Sequence, residues 1–188
     1  MSNALAGQYV VMVKRLLDEI TYSFGDLTLD ELHALPIEDG TSIGFNAWHI
    51  MRSADNVVQF VFHREPPVWR QQGLAEAWDF PRNEQGTGMD LAYVQAMRFP
   101  DVASLQQYCR DTTEAVVAKI EAMDDEFLAV TASARIEEEM LELSRAVMLG
   151  QVVVSHGNQH LGYIHILRQL LGKGGASRSG LPPELRQT

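Results

Sequence analysis

Apolar residues recur at three- and four-residue spacing through most of the chain. From Leu5 to Phe24 the series Tyr9, Val13, Leu16, Leu17, Ile20 and Phe24 marks one face of an amphipathic helix, and Gly25 after it is a usual stop signal. Thr28 and Glu31 have capping-box spacing and predict a short helix that ends before Pro36. EDGTS reads as a turn, after which Thr41 or Ser42 can cap a second long helix running to about His63, closed by Pro66 and Pro67. Residues 64–100, with Pro81, Gly86, Gly88 and Pro100, read as a long connection. Its apolar patches VWRQQGLAEAW and MDLAYVQAM predict helical turns packed on the rest, and a connection of that length is often functional. Asp101 can cap a third helix with the stripe Val102, Leu105, Cys109, Thr112, Val116, Ile120 and Met123. A fourth helix is predicted to start between Arg135 and Ser144 and to run to Leu171, stopping at Gly172.

Strand signals are weak: VVV lies within a helical pattern, and Phe127–Thr131 does not alternate. No repeat of fixed period is present. Four long amphipathic helices predict an all-α four-helix bundle, a single domain over residues 1–172. Residues 173–188, rich in Gly, Ser and Pro, predict a flexible C-terminal tail.

Composition narrows the partners. A chain of 188 residues is long enough for one real core. Its formal net charge of -10 and pI near 5.0 disfavour nucleic acid and anionic membrane surfaces. Uninterrupted apolar runs are only a few residues long, far short of a membrane span. The single cysteine, Cys109, cannot form an internal disulfide, and the N-terminus lacks a signal-peptide pattern, so the expected location is the cytoplasm.

The chemistry concentrates in histidines. His156 and His160 lie in the apolar stretch VVVSHGNQHLGYIHIL, four residues apart and therefore on one helix face, a spacing that can chelate one ion. At about 100° per residue they share a stripe with Leu149, Val153, Tyr163 and Leu167, and His165 points to the opposite side. In the second helix His49 shares its face with Phe45, Asn46, Ser53, Asn56 and Phe60, with Arg52 at the border. His63 is about 21 Å further along at 1.5 Å per residue, too far to join His49 at one ion, and His33 has no partner in sequence. Polar residues on an inward stripe are costly unless paired or wetted, so Asn46, Ser53 and Asn56 are expected to line a pocket. Three neutral imidazoles with coordination positions left over describe a catalytic metal site rather than a structural one. Position 157 is Gly, where the metalloprotease helix H-E-x-x-H carries its glutamate base, so zincin-type proteolysis is disfavoured. Simpler expectations hold elsewhere: Cys109, Trp48 and Trp78 as packing residues, Arg52 and Asp55 as a helix-surface pair, and Glu137–Glu139 as a solvated face.

The segments SIGFNAWHIMRSADN and HGNQHLGYIHILRQLLG, with the linker GLAEAWDFPRNEQGTGMDLAYVQAM, resemble the DinB-like (YfiT-like) metalloenzyme superfamily over nearly the whole chain, to Gly172. The resemblance implies an up-down-down-up bundle with a long crossover between helices two and three. It implies a divalent metal, zinc or nickel, held by one histidine of helix two and two of helix four, positions that match His49, His156 and His160. It implies a homodimer and, among characterised relatives, thiol-dependent transferases and isomerases using mycothiol or bacillithiol, and some hydrolases. Some thiol-dependent isomerase relatives carry a glutamate in place of one helix-four histidine, so this chain is nearer the three-histidine subtype.

The functional expectation is a metal-dependent enzyme that activates a low-molecular-weight thiol or water against a small electrophilic substrate. Tyr163, one turn beyond His160, is the expected proton or hydrogen-bond donor, and Arg52, Asn46, Ser53 and Asn56 are the expected orienting groups. The alternative is a non-catalytic metal or small-ligand binding protein of stress response.

Overall fold

The computed structural model describes residues 3–136 and 139–174. Helix α1 (Ala4–Ser23) matches the first predicted stripe, burying Val13, Leu16, Leu17 and Ile20. The short α2 (Leu29–His33) begins with the predicted capping box, the Thr28 side chain accepting from Glu31 N and the Glu31 carboxylate accepting from Thr28 N. Ser42 caps α3 (Ile43–Asp55), accepting from Phe45 N. The helix then widens into a π-helical segment, Asn56–Phe62. The connection carries three short helices, α4 (Val68–Gln71), α5 (Leu74–Trp78) and α6 (Leu91–Ala96). Asp101 caps α7 (Val102–Glu121) by accepting from Ser104 N. After α8 (Asp125–Ala129), the fourth long helix is assembled from α9 (Arg145–Met148), a second π-helical segment (Leu149–Ser155) and α10 (His156–Leu170).

Helix directions follow from the contacts at their ends. The Arg168 guanidinium, late in α10, donates to Ser23 O and Asp26 at the end of α1, while the Tyr9 hydroxyl donates to Ala146 O where α1 and the fourth helix begin. Those two helices are therefore parallel. Gln106, early in α7, donates to Thr21 O late in α1, and Leu5 N donates to Asp125 just past α7, so α7 is antiparallel to α1. Asn46 meets His160 and His49 meets His156, so α3 is antiparallel to α10. The ends of the second and third helices meet through Glu65 and Lys119 at 2.6 Å. This is an all-α bundle with the up-down-down-up order, and the parallel pair α3/α7 requires the long crossover.

Where the fourth helix was expected to begin, the structure has a hairpin. Strand β1 (Thr131–Ile136) pairs antiparallel with β2 (Glu139–Ser144), in a register from Thr131↔Ser144 to Ile136↔Glu139. The ladder sets Ala132 opposite Leu143 and Ala134 opposite Leu141. Alanines supply most of the apolar positions of β1, so its alternation was too faint to read as a strand. Glu137 and Glu138 of the acidic run lie outside the described residues.

The crossover is welded to the bundle by aromatic rings. Trp48 of α3 meets Trp69 and Phe80 edge-on at 5.8 and 5.9 Å, and Trp69 meets Trp78 and Tyr108 at 5.4 and 5.3 Å. Trp48 and Trp78 thus pack as expected, and Cys109 is wholly buried. On the far side, α10 approaches α1 so closely that a Cβ on Gly157 would stand 2.5 Å from Leu16 Cδ2. The first residues of the expected tail are tied down: Lys173 N donates to Arg168 O, and Gly174 O accepts from Arg168 Nε. From residue 175 onward that tail lies outside the described residues. Among the described residues, no helix is long and apolar enough to cross a membrane.

Candidate metal centre

His49, His156 and His160 meet where α3 and α10 face each other. His49 projects from the middle of α3. His156 is the first residue of α10, at the point where π winding returns to α winding, and π turns of this kind are frequent at functional sites. His49 Nε2 lies 3.3 Å from His156 Nε2, and His160 Nε2 lies 3.0 Å from His156 Nε2. The three ligand nitrogens fall within 4.8 Å of one another, and among the described residues no fourth His, Cys, Asp or Glu belongs to the group.

Each ring is held by its other nitrogen. His49 Nδ1–H donates to the Gln85 carbonyl of the crossover. His160 Nδ1–H donates to Asn46 Oδ1 at 2.7 Å, and His156 Nδ1–H to Val152 O, one turn back, at 3.3 Å. The Asn46 amide is itself fixed, its Nδ2 donating to Thr41 Oγ1 at 2.8 Å and to Ser42 O at 2.7 Å, which leaves Oδ1 for the histidine. With all three Nδ1 atoms protonated toward acceptors, all three Nε2 atoms present bare lone pairs to a common point, the arrangement in which ligand histidines are oriented by outer partners.

Lone pairs that converge at this spacing repel unless a cation lies between them. Two nitrogens each about 2.05 Å from one ion at a tetrahedral angle are about 3.3 Å apart, close to the separations here. The donor set therefore fits a divalent transition metal. Burial favours the neutral, ligating form: it pushes the pKa of His49 down to about 4 and that of His160, with help from its two histidine neighbours, to about 3.

The other expected site residues are distributed around this group. Asn46 orients His160, as described. The Ser53 hydroxyl donates to His49 O at 2.9 Å on its own helix. Asn56 is half-buried at the start of the π segment. Tyr163 is half-buried on α10, its hydroxyl tucked against Gly40, where a Cβ would lie 2.6 Å away. Arg52 is buried beneath the crossover, its Nη2 donating to Glu84 O at 3.3 Å and reaching Asn83 O at 3.5 Å. The Arg52–Asp55 pair is not on the surface: the two side chains are 2% and 0% exposed, with Nη1 4.0 Å from Oδ2. Asp55 spends its carboxylate on Val68 N and Trp69 N, anchoring the start of α4. Phe60, expected on the inward stripe, is 43% exposed, because the π segment breaks the wheel after Asn56. His33 accepts from Phe99 N, and His63 stacks on Phe127 at 5.1 Å, so neither joins the centre.

Gln85 and Gly86 were missed by the sequence reading. Gly86 adopts φ 112, and a Cβ there would lie 2.6 Å from His49 Nδ1 and 2.9 Å from Phe45. Only glycine tolerates both the conformation and the closeness. A sequence shows such a residue as a turn former and does not say what it covers.

No curated protein matches the chain. Among solved structures, one described as the conserved protein of locus from Enterococcus faecalis superposes with a TM-score of 0.74 at 17% identity, covering 92% of this chain and 99% of that one. At that identity the likeness speaks for the fold. The family profile of the DinB superfamily matches residues 12–164, a span that holds all three histidines, and the chain belongs to that superfamily.

Proposed function

We propose that this chain is a metal-dependent enzyme that activates a low-molecular-weight thiol or a water molecule against a small electrophilic substrate, as a transferase, isomerase or hydrolase. The observation that carries this reading is the convergence of three Nε2 atoms while each Nδ1 is committed to its own acceptor. His49, His156 and His160 would hold a divalent cation, zinc or nickel. When bound, such a cation supplies Lewis acidity toward a thiol or water.

The chain's own groups divide the remaining work. His49 is buried, whereas His156 and His160 are half-buried, so a substrate approaches from the α10 side. Tyr163 lies one turn beyond His160 and serves as the hydrogen-bond or proton donor to the substrate. Gly157 leaves no carboxylate base within the histidine pair, which favours a nucleophile that brings its own acidic proton, as a thiol does. Cys109 is not that nucleophile: burial pushes its thiol pKa up and keeps it protonated. A cytoplasmic location, a homodimeric assembly and no nucleic-acid or membrane partner go with this reading.

The test is a turnover screen on zinc- and nickel-loaded protein, with low-molecular-weight thiols paired with epoxides or activated aryl halides, and esters in a parallel hydrolysis arm. The expected result is metal-dependent loss of free thiol or ester, with kcat reduced about 100-fold in Tyr163→Phe. Full metal occupancy without turnover of any pair would favour the non-catalytic metal-binding reading.

A further inference from the structure

Four backbone carbonyls between Pro81 and Gln85 accept from buried side chains, one on α4 of the crossover and two on α3. Trp69 Nε1 donates to Pro81 O at 3.3 Å. Arg52 Nη2 reaches Asn83 O and Glu84 O, and His49 Nδ1–H donates to Gln85 O. Gly86 then turns the chain directly over the His49 and Phe45 rings. Arg52 and His49 stand three residues apart on α3, so both side chains face the same strip of backbone. The guanidinium cannot wander: the side chain is 2% exposed, and its charged end lies 5.3 Å from the Trp69 ring centre and faces Asp55.

We propose that Arg52 is a positioning residue for the metal centre. It holds residues 83–85 in the one place where the Gln85 carbonyl accepts the His49 Nδ1 proton, and so it directs His49 Nε2 toward His156 and His160. The inference rests on the metal reading for its purpose, but its geometry is independently measurable. A guanidinium suits this work because its planar fork turns Nη2 toward the two carbonyls while Nη1 faces Asp55, which an ammonium cannot do from one point. On this account the crossover belongs to the centre: it supplies the outer partner of one ligand, and outer partners govern affinity. An Arg52 that merely fills space would hold the crossover without setting the tautomer of His49.

The experiment compares wild type with Arg52→Lys, Arg52→Met and Gly86→Ala by two readouts. One is the ring N–H resonances of His49 and His160 in zinc-free protein. The other is zinc affinity by chelator competition. Gly86→Ala displaces the same carbonyl from the opposite side and leaves the Arg52–Asp55 pair intact, so it stands in if Arg52→Met does not fold. The expected result is loss or rapid exchange of the His49 N–H signal, zinc binding weakened about 10-fold or more, and an unchanged His160 signal, because Asn46 holds that ring from α3. Arg52→Lys should lie between wild type and Arg52→Met. An unaltered His49 signal with unaltered zinc affinity in Arg52→Lys and Gly86→Ala would overturn the proposal. If wild type binds no zinc, the metal reading fails, and the His49 signal alone decides whether Arg52 positions that ring.

Discussion

The two walls of the histidine centre are built on opposite principles. All 13 residues of α3 are buried, because α2, α7, α10 and the crossover enclose it on every side. Of the 15 residues of α10, only Gly157, Leu161, Ile164, Leu167 and Arg168 are buried. A polar group on α3 can find a partner only inside the protein, and leaving one unsatisfied, as Trp48 Nε1 is among the described residues, costs about 1–3 kcal/mol. Asn46, His49, Ser53 and Asp55 all find such a partner. The α10 wall can leave His156 and His160 partly open to solvent. One wall fixes geometry and the other leaves two of the histidines partly exposed, and a substitution should reveal which wall it struck.

The largest expected difference lies in removing a ligand from each wall. His49→Ala and His156→Ala should each weaken metal binding by more than about 100-fold, beyond the range of outer-partner substitutions. Only His49→Ala should also destabilise the metal-free fold appreciably, by about 1–3 kcal/mol, since it empties a packed site and abandons the Gln85 carbonyl. Metal titration with urea unfolding of the metal-free proteins measures both. Next comes Asp55→Ala on the closed wall. It strips two buried N–H groups of their acceptor and leaves Arg52 uncompensated, a loss of about 3 kcal/mol by urea unfolding, with all three histidines still in the chain.

Smaller effects separate neighbours on the same helix. Asn46→Ala frees the His160 ring and should weaken zinc binding about 10-fold. Ser53→Ala should change zinc affinity less than about 2-fold, because that hydroxyl is spent on its own helix carbonyl and such back-bonding adds little. Equal effects from the two would mean that the Asn46 amide does not orient the ligand. The pH response is subtler still. His49 and His160 titrate at about 4 and about 3 in the folded chain, against about 6.5 when unfolded. Between those values the unfolded chain binds more protons, so the metal-free fold is most stable above about pH 6.5 and loses stability as pH falls toward 3. Urea midpoints of metal-free wild type should show that decline, and His49→Ala should flatten part of it.

The sequence made the α10 wall far more legible than the α3 wall. Four-residue spacing in an amphipathic helix announces His156 and His160 without any tertiary information, and it excludes His165 correctly. The direction of His49 was legible because α winding holds from Ser42 to Asp55. It failed at Phe60, where the π segment shifts the register, and nothing in NVVQFVF announces an i→i+5 hydrogen bond. Arg52 and Asp55 looked like an i,i+3 surface pair because a sequence does not show that a crossover about 40 residues long will fold back over them. Gln85 acts through its backbone carbonyl, which every residue has, and Gly86 through a missing Cβ. Neither leaves a chemical trace in the sequence. The hairpin was hidden for a different reason: alanines carry too little hydrophobic contrast to mark an alternating strand.

If three histidines from the two walls hold one divalent metal ion, that ion should stay with the protein through purification. The most direct test is elemental analysis of untagged protein produced and purified under metal-replete conditions, set against His156→Ala handled identically. One zinc or nickel ion per chain in the wild type, absent from the variant, is the predicted result. A wild type free of metal, or a His156→Ala chain carrying the same metal at the same stoichiometry, would contradict it.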